Sequence, residues 1–222
     1  GFAYKNSFAG MQFPAITKIK KQRRMQMNLL FKISYGLFVL CAKTDNEESG
    51  CIINTFSQQT ALPETFSVTV NKQNFTHDLI EKSRECAVAI LSTETDFETI
   101  KRFGMQSGRS VDKFAGIDFK TTGIGIKVPY TKGVLGYFAL KVLKTVDMGT
   151  HTMFVLSAVE NKAFVEIGDA LTYEYYQNHI KPKPEVKTNE KTEKWVCKIC
   201  GYVHEGDQPP AECPVCHVGA DK

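Results

Sequence analysis

Trp195-Val-Cys-Lys-Ile-Cys-Gly-Tyr-Val-His-Glu-Gly-Asp-Gln-Pro-Pro-Ala-Glu-Cys-Pro-Val-Cys216 holds four cysteines, Cys197, Cys200, Cys213 and Cys216, as two C-x-x-C pairs twelve residues apart. Two such pairs suit one tetrahedral ion held by four thiolates. Each pair makes a tight turn whose backbone N–H groups point back at the sulfurs, and the turn favours a left-handed residue after its second cysteine. Gly201 takes that conformation at little cost. His217, in the matching place of the second pair, is less permissive but able, and Pro214 fixes its own φ. Residues 194–222 carry Trp195, Tyr202 and a few Val, Ile and Pro side chains, too few for a self-sufficient core. A bound metal therefore supplies folding free energy here. Tetrahedral sulfur ligation alone fits zinc or iron.

The residues between the cysteines favour one metal by resemblance. Trp195, Gly201, Tyr202, Gly206, Pro209, Pro210 and Pro214 stand where a rubredoxin domain has them. The stretch is similar to the short kind found at the end of rubrerythrins. That resemblance implies iron with Cys197, Cys200, Cys213 and Cys216 as ligands, and so a site that exchanges one electron at a time. A structural zinc site would do no redox chemistry.

The whole chain, 222 residues, has room for one full domain and this small one. No apolar run approaches a membrane span. Of its seven cysteines, Cys41, Cys51 and Cys86 are scattered through apolar surroundings and suggest no disulfide framework, so free thiols with a metal–thiolate site lead us to expect a cytoplasmic protein. The net charge of +4 falls to −2 once Lys5, Lys18, Lys20, Lys21, Arg23 and Arg24 are set aside, because residues 1–26 contain no acid. The run 18–24 is of a sort that contacts nucleic acid or anionic lipid. We read 1–26 instead as a basic extension, solvated or artificial, with organised patterning beginning at Met27. It lacks the apolar region of a secretory signal. At the other side of the main domain, 181–193 is charged, holds Pro182 and Pro184, and is nearly free of apolar residues. It is a solvated linker, and it divides a domain at 27–180 from the metal domain at 194–222.

Between 28 and 180 short strands alternate with two helices. A short opening helix is expected at 29–34, a hairpin from 35–42 and 51–56, an alternating strand at 66–70, and a helix at 76–83. A buried strand follows at 86–91. Thr95-Asp-Phe-Glu98 has the form of a capping box opening a helix that runs to Phe103. A loop at 104–116 leads to strands at 136–146, 152–160 and 162–167. About seven strands with few helices suggest a small barrel or sandwich. There is no G-x-G-x-x-G before a helix, no nucleophile elbow and no H-E-x-x-H.

One anion site is legible. Asn71-Lys-Gln-Asn-Phe-Thr76 follows a strand and opens a helix, with Thr76 where an N-cap would be. Free N–H groups at a helix start and a nearby lysine attract a phosphate, which places Lys72, Asn74 and Thr76 around it. An ordinary capped helix with a surface lysine is the plain alternative.

Resemblance sharpens this. Asn54-Thr-Phe-Ser-Gln-Gln-Thr-Ala-Leu-Pro63, the Asn-Lys-x-x-x-Thr of 71–76, Phe103-Gly-Met-Gln-Ser-Gly-Arg109, Asp112-Lys-Phe114 and Gly149-Thr-His-Thr152 occur in the order seen in the flavin reductase family. Thr150 stands where that family usually has Asp. The resemblance covers about 35–170. It implies a mainly β fold, an FMN-binding split barrel with a few helices, followed by a small C-terminal rubredoxin-like metal domain. It also implies that Asn54, Thr55, Ser57 and Gln59 line the flavin ring, partly through backbone groups. Lys72, Asn74 and Thr76 would hold the FMN phosphate, Ser107 and Arg109 would close over the pocket, and His151 would lie beside the ring where a nicotinamide stacks. From residues alone His151 reads equally as a strand-end histidine bonded to a carbonyl.

Together the two halves resemble the high-molecular-weight rubredoxins. That family implies hydride transfer from NAD(P)H to FMN and single electrons to one iron. A partner follows, a flavodiiron protein reducing oxygen or nitric oxide, or a rubrerythrin-like acceptor. The family further implies a homodimer. Two rivals remain: a free-flavin reductase that releases reduced FMN, and a zinc-ribbon protein that binds nucleic acid through its basic tail.

Overall fold

The computed structural model describes residues 16–18, 32–164, 168–182, 193–198 and 200–219. The chain divides into two units, one of 32–183 and one of 1–31 with 184–222.

The larger unit is an antiparallel sheet of seven strands. These are β2 (Phe38–Lys43), β3 (Glu48–Ile53), β4 (Ser57–Ala61), β5 (Glu64–Asn71), β6 (Glu85–Leu91), β9 (Val134–Asp147) and β10 (His151–Ala163), in the spatial order β3-β2-β6-β9-β10-β5-β4. Strands β7 (Phe119–Thr121) and β8 (Lys127–Pro129) form a separate two-stranded sheet, with Val128 packed into the core. The inner strands are apolar on both faces. On β2, Val39 and Cys41 join one core cluster and Leu40 and Ala42 the other. The continuous apolar run at 38–42 therefore marks a strand covered on both sides.

The sheet curls back on itself, and three phenylalanines show it. Phe38 on β2 meets Phe56 edge-on at 5.4 Å, and Phe56 stacks on Phe66 of β5 at 5.2 Å. Strands β2 and β5 are four places apart in the sheet, yet one ring bridges them. Helix α1 (Phe75–Ser83) adds Leu79 and Ile80 to the same interior with Phe154 and Leu156 of β10. Each such side chain contributes about 1.5–3 kcal/mol by leaving water. Helix α2 (Phe97–Gly104) covers the opposite cluster with Ile100 and Phe103.

Several expectations need correction. The helix at 76–83 starts one residue earlier, and its N-cap is Asn74, not Thr76, which is buried inside the first turn. The cause is a turn at the strand end: the Asn71 carboxamide oxygen accepts from Gln73 N, and the Asn71 carbonyl from Asn74 N. In α2 the cap is Asp96, whose carboxylate accepts from Thr99 N at 2.7 Å. Thr95 instead donates to the Gly133 carbonyl at 3.0 Å. The strand expected at 162–167 is, as far as Ala163, the end of β10, which a register shift between Ala158 and Glu160 carries onward. Of the opening helix at 29–34, the described part, 32–34, is a turn. Strands β4, β7 and β8 were not expected. Nor was a one-turn helix α3 (Tyr173–Tyr175), capped by Thr172 and continuing as a π-helical turn Tyr176–Ile180.

Gly133 is required by this packing. Its φ is +87°, and a Cβ there would lie 2.4 Å from Thr95 N. Gly133→Ala should lower stability by more than about 1 kcal/mol, since clash adds to the left-handed penalty. A thermal melt of the variant checks this.

In the smaller unit, β11 (Lys194–Cys197) pairs with β12 (Val203–Glu205) and, on its other side, with β1 (Ile16–Lys18). The rest of the basic extension at 1–26 lies outside the described residues. So does the linker at 181–193, apart from 181, 182 and 193.

Candidate metal centre and flavin site

The two C-x-x-C turns are built alike. In the first, Cys197 N donates to Tyr202 O at 2.8 Å and Gly201 N to Cys197 O at 2.9 Å. In the second, Cys213 N donates to Val218 O at 2.9 Å and His217 N to Cys213 O at 2.8 Å. The residue after each second cysteine is left-handed, Gly201 at φ 75° and His217 at φ 56°. This geometry turns amides toward sulfur: Tyr202 N–H faces Cys200, and the N–H groups of Val215 and Cys216 face Cys213.

All four sulfurs lie within 4.8 Å of one another. Cys197 and Cys216 are 3.4 Å apart, and Cys200 and Cys213 are 3.6 Å apart. A tetrahedral ion with metal–sulfur bonds of about 2.3 Å needs corners about 3.8 Å apart, so the donor set fits one ion. Burial pushes the Cys216 thiol up to about 11. Burial also acts against the Cys213 thiolate, but the Cys216 and Val215 amides and the neighbouring sulfurs hold it at about 7. Four thiolates this close repel one another, and a central cation removes that repulsion. Trp195 and Tyr202 pack on the buried Cys197 and Cys213, and the Trp195 indole donates to Gly206 O at 2.9 Å.

In the larger unit, the site residues expected from sequence fall mostly at one end of β5 and β10. His151 opens β10 opposite Asn71, and Lys72 N donates to Thr150 O at 3.1 Å. Lys72, Thr150 and His151 are therefore neighbours. The His151 imidazole is 2.8 Å from Thr150 Oγ1. Burial, and then the nearness of His77, holds its pKa below the usual histidine value, so it is neutral at neutral pH. Thr55 runs beside β5, its hydroxyl donating to Thr69 O at 2.7 Å and accepting from Thr69 N at 3.2 Å. That side chain does the work of a strand partner. Asn54, just before it, is half-buried. Ser57 and Gln59 lie on the exposed edge strand β4, with Gln59 Nε2 2.9 Å from Ser67 Oγ.

Lys72, expected at the phosphate, and Arg109, expected to close over the pocket, both have carboxylate partners. Lys72 Nζ is 2.7 Å from Asp147 Oδ1. This contact first, then the Gly149 N–H, holds the Asp147 carboxyl below its usual range. Arg109 Nη2 is 2.6 Å from Asp78 Oδ2, and its guanidinium lies 4.9 Å from the centroid of Phe75, the first residue of α1. Asn74 makes no capping bond, and its amide sits 3.8 Å from Cys51 Sγ. The N-terminus of α1 is therefore without a side-chain cap, which suits an anion. Ser107 is exposed and stays within its own loop, its hydroxyl accepting from Arg109 N at 3.3 Å. Lys113 anchors that loop. It is 3% exposed and donates to Gly50 O at 2.8 Å and Phe103 O at 3.0 Å.

Three residues at this end escaped the sequence reading: Asp147, Asp78 and His77. Asp147 and Asp78 are identified by their cationic partners, Lys72 and Arg109. His77 is a histidine buried in the short helix α1, and a polar residue in helical step with buried apolar ones is the signal that could have found it.

The latch between Arg109 and Asp78 has a pH sign. Burial alone would raise the Asp78 carboxyl, but the Arg109 bond and His77 bring it below the usual range. A carboxyl lowered in the folded state adds stability above its unfolded pKa and loses it as pH falls through the folded value. Arg109→Gln should flatten the fall in melting temperature between about pH 5 and about pH 2, measured against the unaltered protein.

This chain belongs to the flavin reductase family. The model of the flavin reductase like domain matches residues 30–183, and that of the rubrerythrin, rubredoxin-like domain matches 195–222. The class so defined is an oxidoreductase, a flavoprotein joined to an iron-binding electron-transport module. The chain is 32% identical to the high molecular weight rubredoxin of Moorella thermoacetica, over 89% of this chain and 98% of that one. It is 35% identical to the ferric-chelate reductase (NAD(P)H) of Archaeoglobus fulgidus, over 68% of this chain and 89% of that one. Among solved structures, the Streptomyces globisporus NADH:FAD oxidoreductase SgcE6, in complex with NAD and FAD fragments, superposes with a TM-score of 0.60. It is 16% identical and covers 76% of this chain and 98% of that one, a likeness of fold. Among the described residues no helix is long and apolar enough to cross a membrane.

Proposed function

We propose that this chain takes hydride from NAD(P)H onto bound FMN and delivers single electrons through an iron held by Cys197, Cys200, Cys213 and Cys216 to a flavodiiron protein or a rubrerythrin-like acceptor. The observation that carries this is the pairing of a flavin reductase domain with a cage of four sulfurs within 4.8 Å in one chain. When bound, a flavin accepts two electrons together and yields them singly, and an iron–thiolate centre carries one.

The chain's own residues prepare both sites. The uncapped start of α1, with Lys72, Asn74 and Thr76, receives the FMN phosphate. Asn54, Thr55, Ser57 and Gln59 border the ring, with Thr55 pinned to β5 through its hydroxyl. His151, whose neutral form is favoured first by burial and then by nearby His77, lines the place of the nicotinamide. Ser107 and Arg109 close from the loop that Lys113 anchors. The four cysteines bring amide donors that favour the charged, metal-bound sulfurs. The charged linker at 181–193 keeps the metal domain at high effective concentration near the flavin. We expect the working form to be a cytoplasmic homodimer.

Metal and flavin content test the assignment. The isolated protein should hold equimolar iron and FMN, the flavin surviving dialysis. Zinc in place of iron, with no yellow pigment, would return the zinc-ribbon reading. Iron with freely dialysable flavin would favour the free-flavin reductase. Lys72→Ala should weaken FMN binding by about tenfold, and an unchanged affinity would remove Lys72 from the phosphate site.

A further inference from the structure

Two adjacent polar residues on α1, His77 and Asp78, touch segments on either side of the helix start. His77 is 8% exposed and is among the buried residues of α1 with Thr76, Leu79 and Ile80, its ring 5.7 Å from that of Phe154. Its Nε2 lies 2.8 Å from Thr152 Oγ1. Thr152 is itself buried, and the next inward positions of β10 are Phe154 and Leu156. A hydroxyl and an imidazole in such surroundings are costly unless they satisfy each other. Asp78, the next residue, binds Arg109 at 2.6 Å from the 104–116 loop.

We infer that His77 and Asp78 are positioning residues: His77 fixes the start of β10, and with it His151, through the Thr152 hydroxyl, while Asp78 fixes the 104–116 loop through Arg109. One turn of α1 thereby holds both segments that border its own N-terminus. The inference rests on the flavin reading above for its consequence in catalysis, but the contacts stand apart from it. The main chain at the start of β10 is already paired, Thr152 opposite Val70 of β5 and opposite Asp147 of β9. Its inward side chain is held by His77. The titratable groups that face His77 are Asp78 at 3.4 Å and Glu81 at 4.0 Å on its own helix, and His151 on β10. Arg109 reaches Asp78 from the loop. The depressed titration of His151, from burial first and His77 second, agrees with this proximity.

Thr152→Val and Thr152→Ser in the full chain separate hydroxyl from shape. Thr152→Val should lower kcat for NADH-driven FMN reduction by about 10- to 100-fold with little change in KM. Thr152→Ser should stay within about threefold of the unaltered protein, and His77→Gln combined with Thr152→Val should be no worse than Thr152→Val alone. A second readout needs no cofactor: the His151 imidazole, followed by NMR, should titrate at higher pH in His77→Gln. Equal losses in Thr152→Val and Thr152→Ser, or a His151 midpoint unmoved by His77→Gln, would overturn the inference. If the unaltered protein reduces no FMN, the flavin reading fails separately, and the NMR titration still decides whether His77 acts on His151.

Discussion

Stripping the metal is expected to unfold the C-terminal unit and leave the barrel folded. Among the described residues of that unit, the buried side chains are Val196, Cys197 and Cys213, with Trp195, Tyr202, Cys216 and Val218 packed partly against the cysteines. That is too little apolar surface to offset the entropy of ordering some thirty residues. Metal binding at comparable four-ligand sites contributes about 10–16 kcal/mol, and here it would be most of the folding free energy. The chain's single tryptophan is Trp195, so its fluorescence reports on this unit alone. After chelation, with metal loss confirmed by elemental analysis, the emission should shift to the red while the barrel's melting transition stays in place. A native Trp195 spectrum in metal-free protein would show that the unit folds without its ion.

Cys213→Ser is the second large effect. Cys213 is fully buried and accepts from two backbone amides, so a serine there can neither reach the ion in the same geometry nor replace the soft ligand. Reduction of FMN by NADH should stay within about twofold, while electron delivery to an added flavodiiron protein should drop by at least about 100-fold. Equal loss of both would place the cysteine site in the path of hydride transfer. Loss of neither would mean that electrons leave directly from the flavin.

The legible parts of the chain are those with a short-range physical signature. The spacing of 197–216 implied two tight turns, and the residue after each pair, Gly201 and His217, is left-handed as such turns favour. Strand β5 alternates cleanly, Phe66, Val68 and Val70 inward against Ser67 and Thr69, and period two is a local signal. Strand β4 is Ser57–Ala61 with every residue exposed. It exists because β5 offers an edge, and nothing in its own sequence requires it. The same holds for β7 and β8, three residues each. The continuation of β10 to Ala163 depends on a register shift against β9, which no local pattern records.

In the site, Lys72, Thr150 and His151 are neighbours, and Arg109 reaches Phe75 and Asp78 of α1. The cap expected at Thr76 lies two residues earlier, at Asn74, because the turn at 71–74 starts the helix sooner. The partners of these residues were not legible. Asp147, Asp78 and His77 matter through contacts with residues some 30 to 75 positions away, and such pairings follow from the curl of the sheet.

The central claim is that two-electron input and one-electron output are joined in this chain. An anaerobic titration of the purified, metal-replete protein with NADH, followed by its visible spectrum, tests it most directly. The account predicts that the flavin absorbance and the iron–thiolate absorbance both bleach in one titration, and that three electrons are taken up per chain, two by flavin and one by iron. Bleaching of the flavin with the iron–thiolate bands left intact would contradict it.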